Sequence, residues 1–304
     1  MSVFEAIKNH DLRFLYNYLK SGQNPNICDP LGYGLLHSAI HEGTLDLVDM
    51  LLRHGASAEQ EDQFGNKPLQ VACLFAKSDV VELLLAYDAY IDGISPKRPW
   101  TPLMIAVNER NDELATLLIE QGANVSFVEE EEGWTPFLVA CDTGLKDVGM
   151  RLIREGVDLG AHVRSGDIAG RSAIHLVAYN GEVDLAEALV EKGVDVNSSP
   201  VGGGLSPLHW AVYNDHLDLL DFLLEKGADT NLPASGIYDN RTPLHYAVSC
   251  NRIHMLAPLL DHGADPLRAD IEGRTPLDIA WQFYKEGQKS LYRDFIALIG
   301  KTNN

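Results

Sequence analysis

His37, His175, His209 and His245 are the side chains best suited to move a proton or hold a metal near neutral pH, and Cys28, Cys73, Cys141 and Cys250 could supply thiolates. Either chemistry requires groups that converge. The cysteines stand far apart with no paired metal-type spacing, which suits reduced, half-buried thiols better than a zinc site or a disulfide framework. Gly202-Gly203-Gly204 suggests a phosphate-binding loop, but no Lys-Ser or Lys-Thr follows it and no strand–loop–helix unit surrounds it. It reads as a flexible hairpin. The histidines stand on a period instead of in a cluster.

The period comes from the elements that must carry them. Thr101-Pro102-Leu103, Thr135-Pro136-Phe137, Ser206-Pro207-Leu208, Thr242-Pro243-Leu244 and Thr275-Pro276-Leu277 are copies of one start signal, with weaker versions at Gly34, Lys67 and Ser172. With Met1 counted as a first position, nine repeats begin at 1, 34, 67, 101, 135, 172, 206, 242 and 275, spaced by 33 to 37 residues. Such a spacing predicts a solenoid in place of two conventional domains. Each histidine lies three residues after a start, and Cys73 and Cys141 share the slot six after theirs. Recurrence at one place in a repeat points to structural roles.

Within a repeat, Thr or Ser suits the N-cap, where its oxygen accepts a free backbone N–H, and Pro suits the first helical position. Five residues after each start comes Ala6, Ala39, Ala72, Ala106, Ala140, Val177, Ala211, Ala247 or Ala280, small enough for neighbouring helices to approach closely. A second helix, closed by apolar pairs such as Leu51-Leu52 and Leu223-Leu224, ends at Gly22, Gly55, Gly122, Gly156, Gly193, Gly227 or Gly263, always 21 residues after the start. Asp88 holds that place in the third repeat. These positions suit the left-handed residue that closes a helix. Length variation is therefore confined to the connections, of which 157–171 and 228–241 are long enough to project as loops or hairpins.

The ends read as caps. Ser2-Val3-Phe4-Glu5 matches a capping box. In the last repeat, residues near Tyr284-Lys285-Glu286-Gly287 are expected to lengthen the turn between helices and shift the second helix to end at Gly300. Pro258 falls inside a second helix beginning near Ile253 and is expected to kink it.

Thr242-Pro243-Leu244-His245-Tyr246-Ala247 and Gly227-Ala228-Asp229, repeated across about residues 1–300, resemble the ankyrin-repeat family. The resemblance implies an all-α, ankyrin-type helical-repeat solenoid with projecting hairpin loops, about nine repeats including two caps, forming one domain over 1–304. It implies that the periodic histidines tie one repeat to the next. It also implies that the variable residues facing a partner stand just before each start and at the seventh and eighth positions after it. Those places hold Tyr33, Trp100, Trp134 and Arg171, then Leu74, Tyr179 and Tyr213, then Phe75. Aromatic side chains of this kind anchor interfaces. Equal register puts the backbones of Trp100 and Trp134 about 10 Å apart, a spacing that could clamp one side chain. Trp210, four after its start, is expected in the core, and Trp281 in the terminal cap.

Charge narrows the partner. The chain carries 24 basic and 44 acidic residues, a net −20, so phosphate backbones and anionic membranes repel it on average. Residues 101–200 account for −11 of that charge and include Glu129, Glu130, Glu131 and Glu132, either a solvated hairpin tip or part of the partner surface. The longest stretch without Asp, Glu, Lys or Arg, Val196 to Asn214, contains Ser, Pro, Gly and His and is no membrane span. No secretory signal is visible at the start, so a cytoplasmic setting is expected. The reading is a non-catalytic protein-binding scaffold or adaptor with no cofactor, no metal and a neutral to basic protein partner. The alternative is an acidic inhibitor or immunity-type protein that blocks a basic enzyme or toxin. An enzyme with its site in the groove would need converging acids, bases or nucleophiles off the period, and none stands out.

Overall fold

The computed structural model describes residues 2–42, 44–286 and 289–302, so Met1 and Gly287, assigned above to the first start and the last turn, lie outside the described residues. Among the described residues eighteen helices run in pairs. The first four pairs are α1 (Val3–Lys8) with α2 (Leu12–Lys20), α3 (Leu35–Glu42) with α4 (Leu45–Arg53), α5 (Pro68–Leu74) with α6 (Ser78–Ala86), and α7 (Pro102–Asn108) with α8 (Asp112–Glu120). The remaining five are α9 (Pro136–Thr143) with α10 (Lys146–Arg154), α11 (Ala173–Asn180) with α12 (Val183–Glu191), α13 (Pro207–Tyr213) with α14 (Leu217–Glu225), α15 (Pro243–Ser249) with α16 (Ile253–Asp261), and α17 (Pro276–Lys285) with α18 (Lys289–Thr302). They fall into two compact units, Met1–Glu130 and Glu131–Asn304.

In each unit the first helices of successive pairs pack side by side, α1 to α7 in one and α9 to α17 in the other. The residue five after each start is fully buried in all nine repeats, Val177 included, so this slot is where the first helices meet. Every second helix from α2 to α16 has nine residues. The glycines that close them have φ between 79° and 90°, and Asp88 takes φ 59° in the same slot. A Cβ at Gly55, Gly122 or Gly227 would meet nothing within 4 Å, so backbone conformation alone selects glycine there.

The start signals work in two ways. Thr101, Thr135 and Thr275 cap as expected, their Oγ1 accepting from the N–H of Met104, Leu138 and Asp278 at 3.0 to 3.2 Å. Ser206 and Thr242 instead donate their hydroxyls to Nδ1 of His209 and His245 at 2.7 and 2.8 Å, and Ser172 pairs with His175 at 2.9 Å. An imidazole three residues on offers a lone pair, so the hydroxyl becomes a donor.

The last repeat differs from the expectation. Tyr284 and Lys285 extend α17 to ten residues instead of lengthening a turn, and α18 continues through Gly300 to Thr302. Pro258 lies inside α16, which runs its full nine residues through it.

The connections carry isolated antiparallel bridges, Cys28 with Gly34, Ser95 with Arg98 and His162 with Ser172, and no named strand among the described residues. The triglycine is a hairpin held in place: Gly204 N–H donates to Ser235 Oγ at 3.1 Å and its carbonyl accepts from Ser235 N–H at 3.2 Å. Gly170 lies so close beneath the next hairpin that a Cβ would overlap the Val201 carbonyl. Backbones touch there, which only glycine permits.

Candidate partner-binding site

The histidines fix the groove residues from behind. In His37, His209 and His245, Nε2 donates to the carbonyl of the residue just before the next start, Asn66, Arg241 and Arg274, at 3.0 to 3.1 Å. His175 reaches Ser198 instead. A carbonyl can only accept, so Nε2 carries the proton and Nδ1 is the acceptor, shared in His175, His209 and His245 between the hydroxyl and the more distant backbone N–H of Ser172, Ser206 and Thr242. Burial drives all four rings toward the neutral form, His175 and His209 to about 4.

Gln70 does the same work in the third repeat, a role the histidine pattern alone does not reveal. Its Oε1 accepts from Lys67 N–H at 2.8 Å and its Nε2 donates to the Trp100 carbonyl at 2.7 Å. The signal was its place, three after the start.

The tips ahead of the groove are shaped by aspartates five residues before a start. Asp29, Asp62 and Asp270 each accept with Oδ1 from the N–H two and four residues on, at 2.8 to 3.0 Å. Each opens an Asp-x-x-Gly turn that presents the residue before the glycine. Leu31 and Phe64 are presented this way and are exposed at 65% and 55%, and both were missed by reading only the ladder positions.

In the first compact unit these pieces enclose a cavity of about 710 Å³. Tyr33, Leu74 and Phe75, expected from the ladder, line it together with Leu31, Phe64 and His41. Phe64 meets Tyr33 edge-on at 5.9 Å, and Phe75 meets His41 at 5.0 Å. The cavity is mostly apolar with charged groups at Lys8, Asp29, Glu42 and Asp62, the composition of a side-chain receptor.

In the second unit the ladder residues Arg171, Tyr179 and Tyr213 gather around Trp210, which is buried as expected. Tyr179 and Tyr213 stand edge-on to the indole at 5.3 and 6.0 Å, and Tyr213 meets Tyr246 at 6.1 Å. Among the described residues no group of three His, Cys, Asp or Glu side chains comes together as a metal ion needs. Burial pushes the thiols of Cys73 and Cys141 far above the usual range, which leaves them unreactive.

Models of ankyrin repeats match residues 3–94, 93–162 and 150–234 as three-copy arrays and 233–280 as part of a many-copy array. The chain belongs to the ankyrin-repeat family. The ankyrin repeat domain of human ASB11 matches with a TM-score of 0.62 at 22% identity, covering 75% of this chain and 99% of that one. Among sequences, a putative ankyrin repeat protein of fowlpox virus is 30% identical over 108 residues, 35% of this chain and 25% of that protein. Protein phosphatase 1 regulatory subunit 27 of mouse is 35% identical over 90 residues, 29% of this chain and 58% of that protein. The chain thus spans well under two thirds of the length of these curated relatives. Ankyrin repeats are in general non-catalytic modules for protein–protein interaction.

Within this ankyrin chain the remaining expected site residues are placed less uniformly. Trp100 lies in the first unit and Trp134 in the second, both half-buried. The acidic run divides: Glu130, Glu131 and Glu132 are exposed, but Glu129 is 2% exposed. Glu129 is therefore a buried carboxylate that does not lack a partner, unlike the solvated tip expected of the run. Trp281, expected to pack in the last repeat, stacks on Tyr284 at 5.0 Å but stays 41% exposed. No described helix is long and apolar enough to cross a membrane.

Proposed function

We propose that residues 1–304 act as one ankyrin-repeat domain, a cytoplasmic, non-catalytic scaffold or adaptor that holds a neutral to basic protein partner along its groove. The observation that carries this reading is the apolar cavity in the first unit, where exposed Phe64 and Phe75 stand beside Tyr33 and Leu74. Large aromatic side chains kept half in water serve no packing need and are the common anchors of interfaces. Trp100 and Trp134, each within its own unit, extend the proposed contact, and Glu130 to Glu132 steer the approach of a basic partner. The net charge of −20 favours a second reading, an inhibitor of a basic enzyme or toxin.

The test begins with capture of a partner on the full chain from native lysate. F75A and the pair W100A with W134A are each expected to weaken that complex by about 2 kcal/mol, chiefly through faster dissociation. Neutralising Glu130 to Glu132 should instead slow association and flatten its salt dependence. Wild-type binding by the aromatic variants, with melting unchanged, would remove the groove from the account. Loss of the partner's own enzymatic activity on binding selects the inhibitor over the scaffold.

A further inference from the structure

Arg171, Arg241 and Arg274 share one register, each just before a repeat start, but only two of them are neutralised. Arg274 grips the buried carboxylate of Asp270 through two nitrogens at 3.1 Å and reaches Glu272 at 2.6 Å, while Arg241 lies 3.5 Å from the same Asp270. Arg171 has no such carboxylate: among the described residues none gives its guanidinium an ion pair or a side-chain hydrogen bond. The cause is local. Asp167 holds the place five before the start of its repeat, in the longer 157–171 connection, and does not pair with Arg171.

The guanidinium lies over aromatic rings. Its Cζ is 4.2 Å from the centroid of Trp210 and 5.8 Å from that of Tyr179. Trp210 is 94% withdrawn from solvent and its Nε1 has no hydrogen-bond partner, while Tyr179 and Tyr213 on either side are 44% and 45% exposed. Asp142 influences Arg171 electrostatically from beyond ion-pair distance. Burial lowers the Arg171 pKa, yet a guanidinium keeps its charge at any physiological pH. A partly desolvated cation with five donors and no anion is costly, and a carboxylate brought to it offsets that cost.

We propose that Arg171, stacked on Trp210 between Tyr179 and Tyr213, receives one Asp or Glu side chain of the protein partner, with an apolar neighbour of that residue lying on the exposed tyrosine faces. The inference rests on the partner-binding reading above and names the chemistry of one contact in it, whatever the partner's net charge. Stacking fixes the plane of the fork, which matches a planar carboxylate in two parallel hydrogen bonds. A phosphate dianion is disfavoured, because the other two arginines of the register are held by Asp270 and Asp142 stands near the third.

The experiment selects a random-peptide display library on the full chain and counter-selects on R171Q. The recovered peptides are resynthesised with acetylated and amidated ends, so that only side chains carry charge. Expected are peptides with an Asp or Glu next to an apolar residue. Changing that acid to Gln should weaken binding to the wild type by about tenfold to a hundredfold and binding to R171Q hardly at all. D142N, which leaves Arg171 and Trp210 in place, should bind the acidic peptides more tightly. The inference is overturned if the Arg171-dependent peptides lack an acid, if the Gln change is silent, or if phosphoserine at that place binds tenfold better than Glu. Peptides that ignore Arg171 but are lost with F75A overturn this contact and leave the groove reading standing. Recovery of no groove-dependent peptide overturns both.

Discussion

His209 holds its Nδ1 toward the Ser206 N–H and hydroxyl and its Nε2 toward the Arg241 carbonyl at 3.0 Å, so a proton added at Nδ1 would face the backbone N–H already aimed there. Burial pushes it, like His175, to about 4, whereas an unfolded histidine titrates near 6.5. The unfolded chain therefore takes up protons first as the pH falls. The stability these neutral rings contribute is complete above pH 6.5, declines between 6.5 and about 4, and amounts to at most about 3 kcal/mol per ring. Asp270 does not blur that window. Burial alone would raise its carboxyl, but the Arg274 N–H and guanidinium and the Glu272 N–H hold it below the usual range, so its contribution is lost only at more acid pH. Gln70 makes the same two contacts without a titratable proton, so H209Q should stay folded and reduce the slope of unfolding free energy against pH between 6.5 and 4. Urea melts at pH 7, 5.5 and 4.5 measure this, and an unchanged slope would sink it. His37 offers a second residue-scale check. Its Nδ1 is buried without a partner because Gly34 has no hydroxyl. G34S should supply the donor found at Ser206 and raise stability by about 1 kcal/mol by urea titration, the ring and Gln60 yielding slightly to a Cβ now 3.0 and 3.4 Å away. A loss of stability would mean that they do not yield.

At the scale of the helical pair, the closing residue is the most uniform feature, and its one departure is informative. Asp88 adopts φ 59° where the other repeats from the first to the eighth use glycine, with no helix boundary shifted: α6 still has nine residues. Aspartate tolerates the left-handed region better than most side chains but still with strain. Replacement by glycine should therefore raise stability by about 0.5 kcal/mol, the relief of strain being partly offset by the freer unfolded chain. Differential scanning calorimetry of D88G beside the wild type decides it, and a lower melting temperature would show that Asp88 is doing something its backbone does not reveal. The start residues teach a related lesson, since Thr101 accepts from an amide while Thr242 donates to a ring, and the residue three positions on determines which.

Over the whole molecule, stability in a repeat array is the sum of each pair and its contacts with the next. Leu291 and Phe295 of α18 are fully buried, and α17 and α18 pack on α15 and α16. Truncation before Thr275 uncovers the apolar flank of α15 and α16 with nothing to replace it. Deletion of residues 206–241 instead brings together two repeats that each present the same small buried contact, Val177 and Ala247. The truncated chain should therefore melt lower and bind more of a hydrophobic dye than the internal deletion, which should still unfold cooperatively. The reverse order would show that the last pair is not acting as a cap.

Period, helix pairing, closing glycines and the buried alanine slot were all legible in the amino-acid sequence, because each is decided within one repeat by φ preference, capping or side-chain size. The Asp-x-x-Gly tips that present Leu31 and Phe64, and the slot that makes Gln70 a substitute for histidine, were missed although their signal is local, because only the start, ladder and histidine positions were followed. Other features required tertiary structure. That Glu129 goes inside while Glu130 to Glu132 stay out depends on what each carboxylate meets, which four identical letters cannot encode. That Arg171 lies on Trp210 while Arg274 grips Asp270 depends on where a hairpin of altered length leaves its aspartate and on an indole 39 residues further along the chain. Local chemistry recurs with the repeat and can be read from it; the environment of a groove side chain is assembled from neighbouring repeats, and only their packing decides it.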